Sequence, residues 1–176
     1  YYRAMSPTVH AQVRDCLERA VKLAPAYAEA WAALADAYTE EYSNEFNPRP
    51  DSLGRALRTA QQAVKLGPAS PDAYMTLAKV HFFLHDIDAF VRAAERAVAL
   101  NPNYVDVLAS YGLFRIYSHF DAPVQRARGV EAINKAIALN PIYPTGYHFP
   151  IAWHYYYAGD YPAALAEAKK IDMPDY

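Results

Sequence analysis

The chain has 176 residues, 53% hydrophobic and 20% charged, which excludes a disordered segment and supplies enough apolar material for a continuous core. A formal net charge of −2 with no basic stripe argues against nucleic acid as the partner. A single cysteine, Cys16, excludes an internal disulfide and fits a reducing, cytoplasmic setting, and no apolar run approaches the ~20 residues that span a bilayer.

No signal peptide is visible, and Tyr1-Tyr2-Arg3 opens the chain without an initiator Met, so an excised fragment of a longer protein is expected. Residues 1–25 read as the second helix of a partial repeat. Ser6-Pro7 supplies an N-cap and an N1 proline, and Val13, Leu17, Ala20, Val21 and Leu23 form its apolar stripe. Tyr1 and Tyr2 read as the tail of a preceding helix.

Residues 26–68 form the first full repeat. Trp31, Leu34, Ala35 and Tyr38 share one helical face. The stretch Ser43 to Pro50 is a loop by its two prolines and two asparagines, and Phe46 is expected to fold back on the helix pair. Asp51 is expected to cap a second helix lined by Leu53, Ala56, Ala60 and Ala63.

Residues 69–102 follow with Ser70-Pro71-Asp72 as a specified helix start. Tyr74 and Ala78 mark the first helix, His85-Asp86 the break, and Ala94 and Ala97 the second helix. Phe90 stands where a small residue is usual at the closest crossing, so it should splay the pair or meet a small neighbour. Residues 103–141 carry Val107, Leu108, Tyr111 and Gly112, then an insertion over Ser118 to Pro123, then Gly129, Ala132, Ile133 and Ala136. Gly112 should let a neighbouring backbone approach, at a helix cost of about 1 kcal/mol.

Residues 142–176 begin a last, truncated repeat. Pro150 should either start or kink its first helix. Gly159-Asp160-Tyr161-Pro162 is the interhelix turn. The chain stops soon after Met173-Pro174, so the last helix is expected to be frayed or covered by another copy of the chain, as a homodimer through uncapped ends.

Each unit ends on a turn proline, at Pro25, Pro68, Pro102 and Pro141, spaced 43, 34 and 39 residues apart. This order of features resembles the tetratricopeptide-repeat family over nearly the whole chain. The resemblance implies an all-α fold, a right-handed superhelix of antiparallel helix hairpins, as one domain spanning 1–176. It also implies a protein-binding module that takes a peptide or a partner domain. More narrowly, Phe46 to Asp51, Ala94 to Pro102 and Ile171 to Pro174 look like repeat regions that follow a class III adenylate or guanylate cyclase domain, or a winged-helix domain, in bacterial signalling proteins. That likeness implies a regulatory or dimerisation region, with the protein's own upstream domain as its partner. The family's clamp for a C-terminal carboxylate uses Lys, Asn and Arg. Here Asp36, Thr76, Ser110 and a single Lys79 stand at those positions, so chaperone C-termini are not expected ligands.

No nucleophile elbow and no glycine-rich phosphate loop occurs, so no enzyme, cofactor or metal is expected. His81 and His85 have metal-compatible spacing but no third ligand, and Asp86 and Asp88 read as caps. Glu40, Glu41 and Glu45 read as a solvated helix end, and Cys16 as a surface or semi-buried thiol.

The inward faces of the first helices define the expected binding groove by their three-and-four spacing. They carry Ala32, Asp36, Thr39 and Glu40; Met75, Lys79, Phe82 and Phe83; Ala109, Leu113, Ile116 and Tyr117; and Phe149, Trp153 and Tyr156. The groove is acidic at its N-terminal end and aromatic in its C-terminal half. Aromatics that simply pack together are the competing reading.

Overall fold

A computed structural model describes residues 6–118 and 122–172. The expectations for Tyr1, Tyr2, His119 to Asp121 and Met173-Pro174 lie outside those residues. The described residues are helical, with no strand among them. The chain divides into two compact units, Tyr1–Leu100 and Asn101–Tyr176.

The first unit holds α1 (Pro7–Leu23), α2 (Ala28–Ser43), α3 (Ser52–Leu66), α4 (Pro71–Phe83) and α5 (Ile87–Leu100). Helix starts follow local chemistry. Ser6 and Ser70 hydroxyls accept from Val9 N–H at 3.3 Å and Ala73 N–H at 3.2 Å, each with proline at N1. Asp86 does the same for α5 through Ala89 N–H at 3.0 Å.

Asp51 is a correction. It precedes α3 at φ +57° and makes no capping bond, because its carboxylate pairs with Arg58 at 2.9 Å. Leu23 is a second correction, being 86% exposed. It lies two positions past Val21, about 200° round the helix from the buried stripe.

Small residues set the helix crossings. Ala35 from α2 and Ala56 and Ala60 from α3 are fully buried and form one cluster with Val80 of α4. Leu57 and Leu77 pack against its edge. In the next hairpin, Phe90 is fully buried and meets Phe82 edge-on at 6.1 Å.

The second unit holds α6 (Val105–Ser118), α7 (Pro123–Leu139), a 3-10 turn (Thr145–Tyr147), α8 (His148–Tyr157) and α9 (Tyr161–Ala168). Gly112 and Gly129 meet where α6 crosses α7. A Cβ on Gly112 would stand 2.5 Å from the Gly129 carbonyl oxygen, as expected of a glycine that admits a neighbouring backbone. Pro150 is the third residue of α8, which begins at His148, and lies in the first turn, where no intrahelical N–H is needed, so the helix loses no bond to it. Gly159 takes φ +79°, and Asp160 caps α9 through Ala163 N–H at 3.0 Å.

Candidate functional site

In the first unit, α2 and α4 bring Asp36, Glu40 and Lys79 together. Lys79 Nζ lies 2.7 Å from Asp36 Oδ1 and 3.2 Å from Glu40 Oε1. Burial works against the ammonium charge, but Asp36 and Glu40 overrule it and hold Lys79 above the usual lysine range. Asn44 Nδ2 donates to Glu40 at 2.9 Å. Beside them, Phe83 meets Phe82 at 5.2 Å and Tyr42 at 6.0 Å, all edge-on, with Phe82 and Phe83 half-buried and Tyr42 exposed. Glu40 and Met75 are buried, so these two stand as core and present almost no surface.

In the second unit, Ile116 is buried in a cluster with Val130, Ile133 and Ile151. It too stands as core. Leu113, Tyr117 and Trp153 are half-buried and Tyr156 is exposed. Trp153 joins Tyr117 at 6.3 Å, Phe149 at 6.0 Å and Tyr157 at 5.3 Å. One wall of this aromatic group borders an open trough of about 590 Å³ between α8 and α9. Phe149, Ala152, Trp153 and Tyr156 of α8 face Tyr161, Ala164, Leu165 and Ala168 of α9 across it.

Two polar clasps were not expected. The first corrects the solvated reading of Glu40 and Glu41. Glu41 is 1% exposed and accepts from Arg14 Nη1 at 3.0 Å, Arg49 N–H at 3.2 Å, Ser52 Oγ at 3.2 Å and the Arg55 guanidinium. Burial pushes its carboxyl up, but Arg55, the Arg49 N–H and Arg14 outweigh that and hold it below the usual range. Glu45 alone of the three acids is solvated, at φ +54° in the loop. Arg14 also donates to Asn47 O at 3.1 Å, so the loop is tied to α1, and the Phe46 ring lies 6.0 Å from the His10 ring of that same helix rather than being seen on the α2–α3 pair it was expected to cover. The one signal in the sequence was His10 and Arg14, four apart, on the inner face of α1.

The second clasp is in the other unit. His148, buried, shares a hydrogen bond with Glu167 at 2.7 Å through Nδ1 and another with the Tyr143 hydroxyl at 3.0 Å through Nε2. It ties the segment before α8 to α9. Burial raises the Glu167 carboxyl, but hydrogen bonds from Lys170 and His148 bring it below the usual range.

His81 and His85 do not converge. His85 occupies a left-handed turn at φ +59°, while His81 Nδ1 lies 3.7 Å from Asp86. Among the described residues, no group of three or more His, Cys, Asp or Glu could hold a metal ion. Cys16 is exposed.

Residues 71–104 match the family model described as tetratricopeptide repeat. No curated protein matches the chain. Among solved structures, the chain is similar to TTC0263, a thermophilic TPR protein of Thermus thermophilus, at TM-score 0.72 and 20% identity, covering 92% of this chain and 80% of that one. It is also similar to MamA, at TM-score 0.62 and 23% identity, covering 89% and 83%. At these identities the likeness is one of fold. The all-α class, a tetratricopeptide-type array of antiparallel hairpins, is therefore the fold of this chain.

Proposed function

We propose that the chain is a protein–protein interaction module that acts by binding and performs no chemistry of its own. Its ligand is a peptide or a partner domain held on the inward faces of the first helices. The observation that carries this reading is the surface of α2 and α4. There the Asp36–Lys79 pair lies beside the half-buried rings of Phe82 and Phe83. A charged anchor next to apolar rings suits an amphipathic or extended peptide. In the second unit, taken by itself, Tyr117, Trp153 and Tyr156 with Leu113 form a separate apolar, aromatic surface.

The narrower proposal makes the partner a catalytic or winged-helix domain of a bacterial signalling protein, joined to these repeats in the same polypeptide. It rests on the sequence likeness at Phe46 to Asp51 and Ala94 to Pro102. No helix of the described residues is long and apolar enough to cross a membrane. The cytoplasmic assignment is part of the same proposal.

The test compares Phe83→Asp and Tyr117→Asp with wild type, after circular dichroism confirms that both fold. Pull-down from a bacterial extract, and from a mixture containing a purified class III cyclase domain, reads the outcome. At least a tenfold loss of capture by the variants is expected. Wild-type capture by both folded variants sinks the proposal.

A further inference from the structure

Charge is sorted by helix in the first unit. α2 carries Glu29, Asp36, Glu40 and Glu41 and no lysine or arginine. α4 carries Asp72 and Lys79, while α3 carries Arg55, Arg58 and Lys65 and no acid. Glu41 is taken up by Arg14 of α1 and Arg55 of α3. Glu29, Asp36 and Glu40 are spaced seven and four apart, so they share one face of α2. The bonds of Lys79 to Asp36 and Glu40 place that face beside α4, where Asp72, Lys79 and Phe83 repeat the same spacing. The joint surface thus holds four acids and one lysine and is net negative. Glu29 is exposed, and Asp36 is the more open of the two acids on Lys79, at 18% against 5% for Glu40. Ala33 is exposed and Thr76 half-buried, three residues before Asp36 and Lys79. Small residues at both places leave room for a chain lying across the two helices.

We propose that this surface takes a segment of a partner protein in which an arginine stands beside an apolar side chain. A net negative face is complemented by a cation and rejects an acidic segment by like charge. Arginine suits it better than lysine, because a planar guanidinium pairs with carboxylates in a fork and stacks on aromatic rings. Asp36, with exposed Glu29 seven residues before it, marks the seat of the cation. Phe83, four residues past Lys79 and edge-on to Phe82 and exposed Tyr42, marks the seat of the apolar side chain. This ligand rests on the inward-face reading of the first helices and gives it a charge sign, opposite to that of a C-terminal carboxylate.

The probe is a phage library of random peptides, about a dozen residues long, selected on the full chain. The selected peptides are expected to be enriched at least about threefold in arginine over the input library. A synthetic copy of one of them, read by fluorescence anisotropy, should bind the Glu29→Gln/Asp36→Asn double variant at least about tenfold more weakly than wild type. Circular dichroism first confirms the fold of that variant. If it unfolds, Glu29→Lys takes its place, at an exposed position. Selected peptides without arginine enrichment, or arginine-rich ones that bind the variant as they bind wild type, overturn the proposal. So does a selection that yields no peptide. Phe83→Ala then separates the two readings. Peptides of the wrong charge that still lose affinity on Phe83→Ala leave the inward face as the binding site and remove only its preference for a cation. Peptides indifferent to Phe83→Ala, or no peptides at all, remove the inward-face reading as well.

Discussion

Arg14 and Glu41, 27 residues apart, form an ion pair of 3.0 Å in which both side chains are almost fully withdrawn from solvent, at 6% and 0% exposure. Arg55 approaches the same carboxylate from α3, and the Arg49 N–H and Ser52 hydroxyl complete its shell. One carboxylate thus joins α1, α2, α3 and the loop between α2 and α3. A buried ion adds stability only when its hydrogen bonds are filled, and this one has at least four donors.

Removing Glu41 strands Arg14 in the interior. Glu41→Ala is expected to destabilise the chain by about 3–5 kcal/mol, the range for breaking a buried pair from one side. For a domain of this size that lowers Tm by roughly 2–4 °C per kcal/mol. The pH dependence follows from the lowered folded pKa. The group's stabilisation is present above the unfolded value of about 4.5 and is lost as pH falls through the folded value. Acid titration of Tm checks both points. Wild type should fall steeply below about pH 4.5 and Glu41→Gln less steeply, from a lower start.

A different kind of closeness holds α6 to α7. A Cβ on Gly112 would meet the Gly129 carbonyl oxygen at 2.5 Å, and one on Gly129 would meet the Gly112 oxygen at 2.8 Å. Neither obstacle is the end of a flexible side chain. Alanine improves helix propensity by about 1 kcal/mol, but overpacking costs about 1–3 kcal/mol or more, and backbone contact belongs at the upper end. Gly112→Ala and Gly129→Ala are each expected to lower unfolding free energy by about 1–2 kcal/mol in urea. Gly146→Ala, whose Cβ meets nothing within 4 Å, should change it by less than about 0.5 kcal/mol. Equal effects at all three would remove the close crossing as the cause.

Helix boundaries and small-residue crossings were legible because both are local. Ser6-Pro7, Ser70-Pro71 and Asp160 before Pro162 act within four residues of chain. Alanine at Ala35, Ala56 and Ala60 needs only the repeat register to be read as contact. The Glu41 clasp was not legible, because an acid near a loop reads as solvated until Arg14 and Arg55 arrive from 27 and 14 residues away. Asp51 misled for a related reason. Its sequence position is that of a cap, but Arg58 competes for the carboxylate. Helical spacing assigned Met75 and Ile116 to inward faces by angle alone. It could not say what covers that angle, and both are buried.

His81 gives the fold a pH dependence nearer neutrality. Burial lowers its pKa first, Asp86 raises it, and Arg92 lowers it further, with a net downward shift. The unfolded chain therefore takes up this proton more readily than the folded one. Stability is unaffected above about pH 6.5 and declines as pH falls below it. His154, lowered by burial and then by Arg126, adds the same sign. Because His81 is half-buried on α4 and its packing is that of a ring, His81→Phe should fold. Urea unfolding of this variant should show a smaller stability loss between about pH 6.5 and 5 than wild type. An unchanged slope would falsify the assignment to His81.

Lys79 bridges α4 to α2, and its two carboxylates are not equivalent. Asp36 is the nearer at 2.7 Å with an 18% exposed side chain, while Glu40, at 3.2 Å, is 5% exposed. Asp36→Asn leaves Lys79 its second acid, and water reaches the altered group, so a cost below about 1 kcal/mol is expected. Lys79→Met removes the cation from both acids at once and leaves the more buried Glu40 with the Asn44 amide but no lysine. About 1–3 kcal/mol is expected, short of the fully buried case because the pair retains some solvent. Lys79's folded pKa is raised, so its stabilisation is fully present below the unfolded value of about 10.5 and lost as pH rises through the folded value. Wild-type stability contributed by this group is accordingly flat from about pH 7 to 9, and the difference between wild type and Lys79→Met should be too. A double-mutant cycle of Lys79→Met with Asp36→Asn, read by urea unfolding at about pH 7, is expected to give a coupling of at least about 0.5 kcal/mol. Zero coupling would show that Glu40 alone holds the lysine. The charged end of the inward face would then be one buried pair rather than an anchor open to a ligand.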